Sequence, residues 1–233
     1  MNDINERITQ KPATKNTHIR VAAIQMVSKS DFDANMTSAR KLLRQAKRKS
    51  VDMAVLPENF LTYGTRPALD KSQEVEFVET FAKMAKEIEN VKCFKIECAQ
   101  AANKLRALIH KGGNVVEGPF DGEEGITLFE DLQAGARGNM SSAMLPDLIG
   151  PLVKNYIKGN IKEAEVEYNR VLPLINYENR QCGFRATKTV FKEGGVIKSD
   201  FCRHPIPSLD KETKKGLLDL ANNYDLIAMK WGL

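Results

Sequence analysis

The sequence predicts an α/β fold with parallel strands, and three observations support this class. Short apolar segments alternate with segments whose apolar residues recur at helical spacing, from Ile19 to Met140. Such an alternation is typical of parallel sheets whose faces are covered by helices. From Pro146 onward the pattern is helical only, so helices are expected to complete the fold. The chain has 233 residues, of which 42% are hydrophobic, and this is enough to bury a core.

Five segments are predicted as strands because each is a short apolar run between polar or turn-forming residues. The first two are apolar along nearly their whole length, which predicts burial on both faces of the sheet. The five predicted strands are Ile19–Met26, Val51–Leu56, Val91–Glu97, Val115–Gly118 and Ala136–Met140.

Seven segments are predicted as helices because their apolar residues recur at intervals of three and four. Asp121 with Glu124 is interpreted as a capping box that begins the fourth helix. The seven predicted helices are Asp33–Ser50, Val78–Ile88, Ala101–Ile109, Asp121–Leu132, Pro146–Ile157, Asn160–Lys192 and Asp210–Asn222.

Composition and charge exclude several classes of protein. The net charge of +5, from 35 basic and 30 acidic residues, is too modest to predict nucleic-acid binding. No apolar run approaches the roughly 20 residues that a membrane helix needs. The polar N-terminus shows no apolar core of a signal peptide. We therefore expect a cytoplasmic protein with neither a nucleic-acid nor a membrane partner.

The spacing of cysteines and histidines predicts neither a metal site nor a cofactor. None of the four cysteines forms a CxxC pair, and the three histidines lie far apart. We expect four free thiols in a reducing compartment. The cysteines are Cys93, Cys98, Cys182 and Cys202.

Lys95 is the residue whose position most suggests chemistry. It lies inside the apolar strand that contains Phe94 and Ile96, where an unpaired charge is costly. Burial favours the neutral amine, which can attack a carbonyl carbon and form a Schiff base. The alternative is a structural lysine at the end of the strand that pairs with Glu97 or reaches solvent. The spacing alone leaves both interpretations open and favours the structural one.

Two glycine-containing segments are expected near Lys95. Glu117–Pro119 is predicted to end the fourth strand, and Gly138–Ser142 is predicted to end the fifth. The carboxyl ends of adjacent parallel strands form one edge, where barrel enzymes build their active sites. Glycines there would let backbone approach a ligand, and serines would offer hydroxyl groups. Tight turns that need Gly and Ser explain the same residues equally well.

A family resemblance covers the chain from about Val91 to Trp231. It is similar to the dihydrodipicolinate synthase / N-acetylneuraminate lyase family, whose members are class I lyases on a TIM barrel. The matching stretches are FKIE around Lys95, EGPFDGEEGITLFEDLQAGARGNMSSAM from Glu117, and VLPLINYENRQCGFRATKTVFKEGGVIKSDFCRHP from Val171.

This resemblance implies a mechanism and a site. Lys95 matches the lysine that forms the Schiff base with pyruvate or a related 2-keto acid. Gly118, Asn139, Met140 and Ser141 are expected to line the substrate pocket. Many members are homotetramers, so a homo-oligomer is an expected state, and the chemistry needs no cofactor.

The N-terminal part resembles a different family. HIRVAAIQM from His18 and DFDANMTSARKLLRQAKRKSVDMAVLPENFLTYG from Asp31 are similar to the start of the nitrilase, or carbon–nitrogen hydrolase, superfamily. The similarity runs to about Lys86. It implies that Glu58, directly after the second strand, would be a general base. The lysine and the elbow cysteine of that family do not appear, and Cys182 belongs to the pattern of the other family.

The two resemblances together predict a chain made of two partial enzymes. We expect a polar tail over 1–17, a nitrilase-like βαβα segment with two strands over 18–88, and a partial TIM barrel over 89–233. The partial barrel would contain the last three βα units and the C-terminal helices.

Three functions follow from this organisation. The first is a Schiff-base lyase or aldolase whose activity is impaired or lost, because half of the barrel is not in the chain. The alternatives are an amide-hydrolysing fragment with Glu58 as general base and a non-catalytic fusion product.

Overall fold

The computed structural model describes residues 18–57, 60, 77–89, 91–203 and 205–232. Contacts within the chain divide it into two compact units, Met1–Val75 and Glu76–Leu233. Strands and helices alternate in the described part of both units, so the predicted α/β class is confirmed. Among the described residues, no helix combines the length and the apolar character needed to cross a membrane.

Within its described residues, the first unit contains two short parallel strands and one helix. Strand β1 is Val21–Ala23, helix α1 is Phe32–Arg48 and strand β2 is Met53–Val55. Helix α1 begins after Asp31, whose carboxylate accepts a hydrogen bond from the backbone N–H of Ala34. The strands pair in parallel, with Val21 opposite Met53 and Ala23 opposite Val55.

The prediction that the first two strands are buried on both faces was wrong. Several large apolar side chains of this segment are about half exposed or more. The reason is that β1 and β2 pair with each other, and no further strand joins them among the described residues. A two-stranded sheet leaves most of its surface open to solvent. The exposed side chains are Ile19, Val21, Val27, Met53 and Val55.

The second unit is built around a parallel pair of strands. Strand β3 is Cys93–Ile96 and strand β4 is Gly118–Asp121, with Cys93 opposite Gly118 and Ile96 opposite Asp121. The prediction of a strand over Val115–Gly118 was wrong, since β4 begins at the residue where that strand was expected to end. The preceding residues, Gly113–Val115, form a 3-10 turn that extends the helix before it.

The predicted fifth strand, Ala136–Met140, is reduced to a single bridge between Asn139 and Asp121. Asp121 donates its N–H to the carbonyl of Gly138 and accepts from the N–H of Met140. Two residues earlier on β4 lies Pro119, whose carbonyl accepts from the N–H of Arg137 over 2.9 Å but which has no N–H to donate in return, so regular pairing does not extend to it.

Helices surround this strand pair and supply most of the core. Helix α4 begins at Leu128, so the predicted capping box at Asp121 and Glu124 was wrong, because Asp121 belongs to β4. The predicted helix from Asn160 to Lys192 is interrupted by a π-helical turn, Glu178–Cys182. The next residue, Gly183, has a φ of 59°, which ends the turn. The helices are α2 Phe77–Glu87, α3 Ala101–Gly112, α4 Leu128–Gln133, α5 Pro146–Ile157, α6 Ile161–Tyr177, α7 Arg185–Glu193 and α8 Lys211–Ala221, followed by a 3-10 turn at Ile227–Met229.

The core of the second unit lies between the strand pair and these helices. Apolar side chains from β3, α3, α5, α6 and α8 are almost fully buried in one cluster. This cluster fixes β3 and β4 relative to the helices, and so it fixes the residues at the carboxyl ends of both strands. Its largest members include Ile96, Leu105, Leu152, Leu174 and Leu217.

Candidate functional site

Lys95 lies on the half-exposed face of β3. Its neighbours Phe94 and Ile96 point to the opposite face and are buried in the core, as alternation along a strand requires. Phe94 also stacks on Phe81 of α2, with 5.0 Å between ring centroids. The core therefore packs against the face of β3 that carries Phe94 and Ile96. The Lys95 side chain, which is 29% exposed, lies on the other face.

An acidic side chain lies next to the amine. The Nζ of Lys95 is 2.5 Å from the Oε2 of Glu97, which is 40% exposed. Residues two apart on a strand share one face, so the pair follows from the sequence spacing. The structural interpretation, in which Lys95 pairs with Glu97, therefore agrees with this contact. A neighbouring carboxylate favours the ammonium form of a lysine, so Lys95 must lose its proton before it can attack a carbonyl carbon.

Gly122 packs against Lys95, and sequence reasoning missed it. It follows β4 directly and donates its N–H to the carbonyl of Ile96 over 3.0 Å. A Cβ atom at Gly122 would lie 2.8 Å from the Cγ of Lys95 and 2.9 Å from the Cβ of Glu97. Only glycine lets the backbone approach this closely. The sequence does contain a signal for this turn, the Asp-Gly pair at 121–122. The predicted helix over Asp121–Leu132 assigns the same pair to a helix start instead.

Gly118 lies at the other end of β4. It is buried and pairs with Cys93, whereas Lys95 pairs with Phe120. The expectation that Gly118 ends the strand beside Lys95 was wrong, because β4 starts at this residue. Its predicted role in binding substrate stays a prediction, but the glycine in contact with Lys95 is Gly122.

The other three predicted pocket residues follow one another after the bridge to β4. Asn139 directs its side-chain amide to the carboxyl of Asp121 and donates a hydrogen bond to it. Met140 is exposed, and Ser141 is half-buried. The next residue, Ser142, shares a hydrogen bond of 2.7 Å with the hydroxyl of Thr187. Asn139 therefore contacts a buried carboxyl, while Met140 and Ser141 are accessible to a ligand.

Three buried acidic side chains were also missed by sequence reasoning. Asp121 and Asp131 of α4 are fully buried and interact with each other. Burial first, and then the Asp131 carboxyl, raise the pKa of Asp121 to about 7. Burial likewise raises the pKa of Glu178 to about 7, although the neighbouring hydroxyls of Ser142 and Thr187 lower it. A buried carboxyl of this kind has no local sequence signal, because its partners come from other elements.

The remaining predicted groups add no further chemistry to the described site. Glu58, the predicted general base, lies outside the described residues. The four cysteines are free thiols, and burial raises the pKa of Cys182 to about 11, which makes it a poor nucleophile. Among the residues that the structure describes, no cluster of three His, Cys, Asp or Glu side chains could hold a metal ion.

The geometry defines a class of protein, an α/β protein that presents a lysine with an acidic neighbour near the end of a parallel strand. Comparison with known protein families shows which family the chain belongs to. Residues 70–223 match the dihydrodipicolinate synthetase family, which is well over half of the chain. The chain therefore belongs to this family. Residues 20–97 also match the carbon-nitrogen hydrolase family, so the two-part resemblance predicted from sequence is confirmed.

One curated relative matches a large part of the chain. L-2-keto-3-deoxyarabonate dehydratase of Azospirillum brasilense is 49% identical over 150 residues, which are 64% of this chain and 48% of that protein. The chain thus spans about half the length of the curated relative that it matches.

Solved structures agree on the fold. The dihydrodipicolinate synthase of Aquifex aeolicus aligns with a TM-score of 0.65 at 19% identity, over 87% of this chain and 75% of that one. The enzyme of Acinetobacter baumannii, solved as a complex with pyruvate, aligns with a TM-score of 0.62 at 20% identity, over 86% of this chain and 75% of that one. At this identity the likeness establishes the fold alone.

Proposed function

We propose that Lys95 captures a 2-keto acid as a Schiff base, and that the chain carries the lysine-bearing part of a lyase site. The observation that carries the proposal is the contact of 2.5 Å between the amine of Lys95 and the carboxylate of Glu97, with Gly122 packed beside them. Family membership supports it, since the matched region contains all three residues. We also propose that this region, 89–233, is a partial TIM barrel, preceded by a nitrilase-like segment over 18–88.

The chemistry follows from the pair of side chains. The ion pair favours the ammonium form of Lys95, so transfer of its proton to Glu97 gives the neutral amine only transiently, and this amine attacks the carbonyl carbon of the keto acid. Glu97 then returns the proton to the hydroxyl group of the adduct, which leaves as water and gives the protonated imine. That cation withdraws electrons from the neighbouring carbon, whose proton becomes acidic, and the Glu97 carboxylate is the proposed base that removes it. No cofactor takes part in these steps.

The packing of Gly122 restricts what the site can accept. Its backbone closes one side of Lys95, so the keto acid must approach from the side that remains exposed. The name of the curated relative points to a 2-keto-3-deoxy sugar acid, with pyruvate as the smallest substrate of the same class. We propose slow turnover, because the resemblance assigns the proton-relaying tyrosine and the carboxylate-binding groups to strands before the matched region.

Reductive trapping tests the proposal. The intact chain is incubated with pyruvate, and separately with 2-keto-3-deoxyarabonate, in the presence of cyanoborohydride, and the modified residue is identified by peptide mass spectrometry. We expect one reduced adduct on Lys95, and none in Lys95→Arg. The matched control is Lys92→Arg, since Lys92 is 30% exposed, is close in sequence and also faces a glutamate, at 3.9 Å. No adduct on Lys95, or equal labelling of Lys92, would overturn the proposal.

The other functions predicted from sequence find less support. The carbon-nitrogen hydrolase match includes Glu58, but that residue lies outside the described part of the chain, so no geometry favours amide hydrolysis. The homo-oligomer stays a prediction, and sedimentation of the purified chain would test it. A non-catalytic fusion product predicts that Lys95 is not labelled above Lys92, so the trapping experiment separates it from the proposal.

A further inference from the structure

Two buried carboxyl groups interact with each other next to the turn that follows β4. Asp121 is the last residue of β4, and Asp131 lies in α4. Both residues are fully buried. Asp121 is opposite Ile96, which points into the core, so its side chain lies on the other face of the sheet from Lys95. The pair is therefore separate from the reacting groups of the proposed lysine site.

One buried carboxyl oxygen of the pair has no hydrogen-bond donor. Asp121 accepts from the N–H of Glu123, over 3.0 Å, and from the amide of Asn139. The Oδ2 of Asp131 accepts from the hydroxyl of Thr127 over 2.9 Å. The Oδ1 of Asp131 is buried and has no such donor. A proton on Asp121 would supply it, because two carboxyls that hydrogen-bond each other need one proton between them.

The electrostatic surroundings also favour a shared proton. The charged groups that raise the pKa of Asp131, apart from burial, are Glu130 of α4 and Glu123 of the turn. The hydroxyl of Tyr168, from α6, also faces the pair: burial first, and then the charges of Glu130, Asp121 and Asp131, raise its pKa. In the described part of the chain, no cation is among the groups that act most strongly on either carboxyl. Two buried carboxylates this close cannot both be ionised without a large cost.

Asp121 connects this pair to the turn beside Lys95. Its carboxyl accepts a hydrogen bond from the N–H of Glu123, and its backbone forms a bridge with Asn139. Gly122, which lies between Asp121 and Glu123, donates its N–H to the carbonyl of Ile96. The position of Gly122 against Lys95 thus depends on where the Asp121 side chain lies. Ionisation of both carboxyls would push Asp121 away from Asp131 and strain this turn.

We propose that Asp121 and Asp131 share one proton, and that this protonated pair is a positioning device that holds the Gly122 turn against Lys95. The part that concerns Lys95 rests on the proposed function, whereas the shared proton does not. The device makes the site sensitive to pH. The pKa of Asp121 is raised in the folded protein, so the folded state binds the extra proton and its advantage is lost as the pH rises toward 7 and above.

Asp131→Asn tests the shared proton without reference to any substrate. The amide N–H of asparagine can donate to Asp121, and its oxygen can still accept from Thr127, so no proton is needed. Between pH 5 and pH 8 we expect the urea midpoint of the wild type to fall relative to that of Asp131→Asn. The control Asp219→Asn, at an exposed residue paired with Lys215, should change little with pH. A constant difference between the wild type and Asp131→Asn would overturn the shared proton.

A measurement on the unmodified chain keeps the proposal testable if the variant does not fold. Carbon-13 NMR of aspartate-labelled protein follows each carboxyl through its titration. Because the proton is shared, we expect the resonances of both carboxyls of the pair to respond near neutral pH, and this response to be absent in Asp121→Asn. If all aspartates are ionised by pH 6, the proposal is wrong.

Trapping at Lys95 tests the positioning role. The ratio of the wild-type rate to the Asp131→Asn rate cancels the titration of Lys95 itself. We expect this ratio to fall by at least about threefold between pH 5.5 and pH 8.5, because only the wild type loses the proton that holds the turn. A flat ratio with normal trapping would refute the positioning role alone. No trapping in either protein would refute the proposed function, and the NMR titration would still decide the shared proton.

Discussion

Glu178→Gln should stabilise the protein at pH 8 and change its stability much less at pH 5. Glu178 begins the π-helical turn after α6 and is 3% exposed. Its Oε2 has no hydrogen-bond partner, while the hydroxyls of Ser142 and Thr187 lie beside the carboxyl and lower its pKa less than burial raises it. Ionising this group leaves a buried charge with an unsatisfied oxygen, whereas glutamine has the shape of the neutral acid and no charge.

The magnitude follows from the shifted pKa of Glu178. Burial raises it from the ordinary value of 4.5 to about 7 in the folded protein. Between these two values the folded state binds more protons than the unfolded chain, so the free energy of unfolding falls as the pH rises. One pKa unit corresponds to about 1.4 kcal/mol, so the wild type loses about 2–3 kcal/mol between pH 5 and pH 8. Glutamine does not titrate, and the variant escapes this loss.

Urea denaturation followed by far-UV circular dichroism measures the effect. The free energy of unfolding of Glu178→Gln, minus that of the wild type, should rise by about 2–3 kcal/mol from pH 5 to pH 8. All other titrating groups cancel in this difference. The control is Glu193→Gln, at an exposed glutamate that ends α7, and its difference should stay constant. If the Glu178→Gln difference is the same at both pH values, the carboxylate is already ionised in the folded protein at pH 5, and the argument from burial is wrong.

Two further substitutions test the packing around the site. Gly122→Ala would place a Cβ 2.8 Å from the Cγ of Lys95 and 2.9 Å from the backbone of Ile96, so we expect a loss of about 1–3 kcal/mol in urea denaturation and at least a tenfold slower trapping of pyruvate. Unchanged trapping would contradict the contact. Tyr168→Phe removes the hydroxyl that donates to the carbonyl of Ile126 and should cost about 1–2 kcal/mol. Tyr156→Phe is the matched control, because both rings pack on Phe129, and equal losses in the two variants would argue against the hydrogen bond.

The alternation of strands and helices could be predicted from the sequence, but the ends of the short strands could not. Helix α1 was placed within two residues, because Asp31 and Asp33 mark its start and a basic run marks its end. Strand β4 was misplaced, since a four-residue strand has too few residues for its period to be recognised. Its neighbours Gly112 and Gly113 end a helix and also allow a 3-10 turn, and tertiary packing decides between the two.

The errors at the site have one physical origin. Asp121 has the local sequence of a helix cap, and the same carboxyl in β4 is satisfied by Glu123, Asn139 and Asp131 instead. A local pattern cannot distinguish these outcomes, because Asp131 is ten residues away and Asn139 is farther still. Lys95 could be predicted because a charged residue inside an apolar strand is visible in the sequence itself. The glycine that packs on it is defined only by the pairing of two strands.

The two family matches overlap at residues 70–97, and this overlap contains α2, β3 and Lys95. A helix followed by a short apolar strand is common to α/β folds, so two families of this class can both match it. Neither match alone therefore assigns a role to Lys95. The difference lies in β4 and the turn after it, since Gly122 and Asp121 fall only within the dihydrodipicolinate synthetase match. Because the chemistry of a lysine depends on the groups around it, the proposal of keto-acid capture is based on the match that includes β4 and the turn after it.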